Sequence, residues 1–96
     1  MSTPTDHRKA AELHIQALSA ILQAQPKSDT REAVLKECAA LAVAIAAFHM
    51  EGIRFRMFNV DRLLTRGGLT LPVEGATAFA EARQHLEAAG FHTRSH

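Results

Sequence analysis

Tryptophan and tyrosine are absent from these 96 residues, and the aromatic share consists of five phenylalanines. An immunoglobulin-like sandwich or a β-barrel would need aromatic and β-branched strands at regular spacing, so both are excluded. A single cysteine, Cys38, cannot close an intrachain disulfide, which excludes a disulfide-stapled secreted scaffold. The longest uncharged apolar run, Cys38 to Phe48, falls well short of the roughly 20 residues that cross a bilayer. Met1 to Asp6 is polar and lacks the apolar segment of a signal peptide, so a cytoplasmic protein with no membrane contact is expected. Charge of one sign is lacking too: 11 Lys and Arg against 10 Asp and Glu leave a net charge of +1. No overall field is available to steer a polyanion.

What is present is alanine and leucine in helical register. Apolar residues make up 47% and charged residues 22%, which is ordinary for one globular domain of this length. Ala11, Ile15, Leu18 and Leu22 recur at four, three and four residues, one face of a 3.6-residue period, with Leu13 and Ile21 widening it. Asp6 can cap this helix, and Pro26 ends it near Ala24, because the residue before a proline disfavours helical backbone. Ser28 and Asp29 are both good N-caps for a second helix, and Asp29 with Glu32 has capping-box spacing. Val34, Cys38, Leu41, Ile45 and Phe48 continue it, with Ala39, Ala42, Ala46 and His49 as an adjoining stripe. Cys38 to Phe48 has no polar face, so this helix is expected to be central and covered nearly all round.

No strong breaker follows until Gly52. A straight helix from 30 to 58 would be about 43 Å long and would protrude from a domain of this size. The expectation is therefore a break near Gly52 or a second chain over the overhang. Asn59 is placed to cap a short helix over 60–66, closed by Gly67 in the left-handed position. After an extended linker, a last helix over 73–89 buries Phe79, Ala82, Leu86 and Ala89, with Gly90 as its C-terminal stop and Phe91 packing back. The fold class is all-α: a small antiparallel bundle of about four helices with a long Ala-rich central helix. It forms a single helical domain over 1–96, with tails at 1–5 and 92–96.

The chemistry is less defined. Arg54, Arg56, Arg62 and Arg66 form the one local basic patch, and Phe55 and Phe58 interleave with it. Arginine beside phenylalanine and methionine suits a protein interface, so Ile53, Arg54, Phe55, Arg56, Met57, Phe58, Arg62 and Arg66 are the expected partner-binding residues. The bulky apolar groups at 53–58 and the small Ala-rich core point to a homodimer. The primary reading is a non-enzymatic interaction or regulatory module, with a protein partner at 53–66. Nucleic acid at Arg54–Arg66 is disfavoured, since the segment matches a helix-turn-helix poorly. Six histidines are many for this length, and His7/His14 and His85/His92 are each seven apart, with Glu81 four residues before His85. An alternative is a small-molecule or metal-binding bundle using His14, His49 and His85 between helices. Compact His-Glu-x-x-His and Cys-x-x-Cys motifs are missing, so no metal and no cofactor are expected. No nucleophile motif or carboxylate cluster supports an enzyme.

Overall fold

Proline and three side-chain caps mark off four helices along the chain. A computed structural model describes residues 6–91, and within them lie α1 (His7–Gln23), α2 (Asp29–Ala46), α3 (Met50–Arg66) and α4 (Val73–Ala88). The expected tails, 1–5 and 92–96, lie outside the described residues. Asp6 caps α1 by accepting a hydrogen bond from the Lys9 N–H. Ser28, not Asp29, caps α2, its Oγ accepting from the Arg31 N–H at 3.0 Å. Asp29 is thereby the first helical residue, where its charge complements the helix dipole, and the Asp29–Glu32 capping box does not form.

α1 packs on both α2 and α4, and α3 packs on α2, with neighbours antiparallel. Charged side chains fasten the hairpin ends. Arg31, at the start of α2, donates to the Leu22 and Gln23 carbonyls at the end of α1. Arg8, in the first turn of α1, donates to the Ala46 carbonyl at the end of α2. Both satisfy carbonyls that a helix end leaves without intrahelical partners. Arg56 reaches from α3 to both carboxylate oxygens of Glu37 on α2, and Thr30 Oγ1 donates to the Gly67 carbonyl. Arg83 on α4 lies 3.5 Å from Asp61 on α3.

One apolar cluster serves all four helices. It holds the expected faces of α1 and α4 and, from α3, Ile53, Met57 and Val60. Five expectations need correction, three of them around α2 and α3. First, the break lies at Ala47–Phe48–His49, ahead of Gly52, where Phe48 adopts a left-handed φ of 59°. Second, α3 runs without interruption through Asn59, because His49 caps it: the Gly52 N–H donates to His49 Nδ1 at 2.9 Å. Asn59 is therefore interior to a 17-residue helix, not the cap of a short one. Third, α2 is not covered all round. Val43 is 70% exposed, Ala39 and Ala46 are exposed, and Phe48 stands at the surface. Leu13 is likewise exposed, and at the α3–α4 turn Gly68 takes the left-handed conformation expected of Gly67.

Candidate functional site

A helical α3 beginning at Met50 sets the phase of everything between 50 and 66. Ile53, Met57 and Val60, spaced four and three, are fully buried against α2 and the core. Ile53 and Met57 therefore cannot touch a partner, which corrects the partner-binding set. Arg56 faces α2 and is held by Glu37 at 2.9 Å. On the opposite side, Glu51, Phe55, Phe58 and Arg62 follow at four, three and four residues and make one outward stripe. Phe55 is 56% exposed and Phe58 50% exposed, so two large rings stand one turn apart in water. The Arg56 guanidinium lies 5.1 Å from the Phe55 ring centre, and that of Arg62 lies 5.8 Å from Phe58. Arg54 and Arg66 are exposed on the same helix. The four arginines thus do not form one surface: α2 takes up Arg56, while the others project outward.

The α1–α4 seam gathers a different set. Antiparallel packing puts His14 beside Glu81, with His14 Nε2 3.2 Å from Glu81 Oε2. It also puts His7 beside His85, their Nδ1 atoms 2.9 Å apart, so that one nitrogen donates and the other accepts. The His14 and His85 rings stack at 5.4 Å with 13° between their planes. One donor atom from each of His14, Glu81 and His85 lies within 4.8 Å of the other two. The sequence points to His14, His49 and His85 as ligands and to Glu81 as able to share a metal with His85; His7 is marked only by its seven-residue spacing from His14. The seven-residue and four-residue spacings were visible in it; the pairing of α1 with α4, which makes them converge, was not.

His49 does not join this set. Its Nδ1 accepts from the Gly52 N–H, and only a glycine fits there: a Cβ on Gly52 would lie 2.8 Å from His49 Nδ1 and 3.3 Å from the Ala44 Cβ. Its role is to start a helix. Cys38 is 1% exposed, and burial pushes its thiol up to about 11, opposed by a hydrogen bond to Ser19 and assisted by the Glu37 charge. A thiol held protonated in the core is neither nucleophile nor ligand. Among the described residues, no helix is long and apolar enough to cross a membrane. No family model matches the chain, and neither a curated protein nor a solved structure matches it.

Proposed function

We propose that the chain is a non-enzymatic interaction module that acts as a homodimer, joined through the outward stripe of α3. The observation that carries this reading is the Glu51–Phe55–Phe58–Arg62 stripe, set opposite a helix face whose apolar needs are already met. Two exposed phenylalanines one turn apart cost solvation that a monomer does not recover. The stripe is also self-complementary. Glu51 stands four residues before Phe55 and Arg62 four residues after Phe58, at equal distances from the stripe's midpoint. A two-fold contact applies the same pairing twice. Two α3 helices crossing antiparallel at that midpoint place Phe55 against the other copy's Phe58, and Glu51 against its Arg62. Arginine and phenylalanine are both enriched in such contacts.

Nucleic acid is a weaker fit to the same surface, because one of its four arginines is spent on Glu37 and Glu51 lies within the stripe. The test is sedimentation equilibrium on the full chain at micromolar concentration. A mass twice 10.5 kDa is expected. Phe55→Asp with Phe58→Asp should give a folded monomer, since neither ring enters the core, with a melting temperature lowered only by the lost dimer linkage. Glu51→Arg should weaken the dimer several-fold and Glu51→Arg with Arg62→Glu should restore it. A wild-type monomer throughout overturns the proposal, and so does a dimer indifferent to both aspartates.

A further inference from the structure

The seam between α1 and α4 holds a set of side chains that neither packing nor helix capping requires. We propose that His14, Glu81 and His85 bind one divalent transition-metal ion of the zinc class, with His7 as the positioning residue for His85. Two imidazoles and one carboxylate are a donor set suited to zinc and its neighbours and poorly suited to magnesium or calcium, which prefer all-oxygen sites. Zinc bonds of about 2.0–2.2 Å in tetrahedral geometry hold donor atoms about 3.3 Å apart. The His14–Glu81 pair already stands at 3.2 Å, and the full set lies within 4.8 Å, so closure on an ion needs side-chain adjustment and no movement of a helix.

The supply of donors is shared between elements in a way that gives the ion leverage. His14 comes from α1, and Glu81 and His85 come from one face of α4. An ion here cross-links two helices whose apolar faces meet behind it, at Ala11, Ile15 and Leu18 on α1 and Ala78, Ala82 and Leu86 on α4. His7 reaches the His85 ring at 2.9 Å and fixes its orientation, as outer hydrogen-bond partners of metal-ligating histidines do. The site is accessible, with 32% of the His14 side chain and 47% of the Glu81 side chain open to solvent. Three protein donors leave a fourth position for water or an exogenous ligand. The proposal uses neither Phe55 nor Phe58, so it stands or falls separately from the dimer.

The experiment is calorimetric titration and thermal melting of the full, untagged chain with zinc chloride, with cobalt chloride as a spectroscopic reporter. Expected are one ion per chain, visible absorption bands from tetrahedral cobalt, and a melting temperature raised by roughly 10 °C or more at a hundredfold excess over the dissociation constant. Magnesium and calcium should give none of these. His14→Ala and His85→Ala should each abolish the shift while the metal-free proteins melt near the wild-type temperature. Glu81→Gln, which keeps shape and loses charge, should weaken binding at least tenfold, and His7→Ala should weaken it about 10–100-fold. His92 and His96, four residues apart in the sequence, provide the control: His92→Ala with His96→Ala should bind as wild type does. No binding at micromolar zinc overturns the proposal. Binding that survives His14→Ala and His85→Ala, or that disappears with the 92/96 pair, overturns it equally.

Discussion

α2 and α4 end beside one another, and both ends make the same two backbone hydrogen bonds. In α4 the Phe91 N–H donates to the Leu86 carbonyl and the Gly90 N–H to Glu87. In α2 the His49 N–H donates to Ala44 and the Phe48 N–H to Ile45. Both are Schellman ends, and each needs one residue with a left-handed backbone. Gly90 supplies it in α4 with φ 98°, Phe48 in α2 with φ 59°. Glycine has no Cβ to crowd the carbonyl, whereas an L side chain there costs about 1–2 kcal/mol. The same device is thus cheap at one end and strained at the other.

The residue that follows explains the difference. After Gly90 comes Phe91, which folds back into the core and is buried. After Phe48 comes His49, which turns directly into the cap of α3. The α2–α3 turn therefore has no spare residue to pack, and the packing falls to Phe48 itself. Its ring meets the edge of Phe91 at 5.1 Å and lies 5.6 Å below the Arg8 guanidinium, which also bonds the end of α2. An aromatic pair is worth about 0.5–1.5 kcal/mol and an exposed cation–π contact about 0.5–1 kcal/mol. Together they are large enough to offset the backbone strain. Phe91 is then the residue on which both ends depend.

The largest expected effect follows from that dependence. Phe91→Ala removes a buried ring, an apolar helix stop and the partner of Phe48. A loss of about 3 kcal/mol or more is expected, seen in urea as an earlier midpoint with unchanged slope. On a domain of this length it corresponds to a melting point lower by about 12 °C or more. A loss below about 1 kcal/mol would mean that Phe91 does not join the two ends.

These two ends also mark where sequence is readable. Gly90 and Phe91 are a recognisable stop, and α1, α4 and the buried faces Ala11–Ile15–Leu18–Leu22 and Phe79–Ala82–Leu86 follow from spacing and breakers alone. Phe48 and His49 carry no such mark. A phenylalanine in the left-handed position and a histidine cap are both uncommon, because tertiary contacts, not local propensity, sustain them. Without that turn, spacing alone frames 50–66 differently, with Asn59 as a cap and Phe48 as core. The candidate surfaces divide the same way. The stretch 53–58 stood out for its apolar load, yet which residues face outward depends on where α3 begins. The His7/His14 and Glu81/His85 spacings are local, while the register that joins them is set by buried leucines on two distant segments.

A smaller effect isolates the backbone. Gly90→Ala adds a Cβ that meets nothing within 4 Å, so sterics with neighbours are removed from the result. About 1 kcal/mol of destabilisation is expected from the left-handed conformation alone. Equal stability of the two proteins by urea melting would show that a side chain costs nothing at this kind of helix end. Phe48 would then carry no backbone strain either.

The smallest effect is the most discriminating. Phe48→Gly relieves the left-handed backbone and loses the contacts to Phe91 and Arg8, two changes of opposite sign and similar size. In the wild-type background the net change should stay within about 1 kcal/mol. With Phe91→Leu already in place, core volume is largely kept but the ring pair is gone, so Phe48→Gly forfeits less. There it should shift toward stabilisation by about 1 kcal/mol relative to its effect in the wild type. That difference between backgrounds is the coupling of the two rings, free of the glycine's own contribution to both. Identical effects in the two backgrounds would leave Phe48 held by Arg8 and the α3 cap instead, and the two helix ends would be neighbours without being partners.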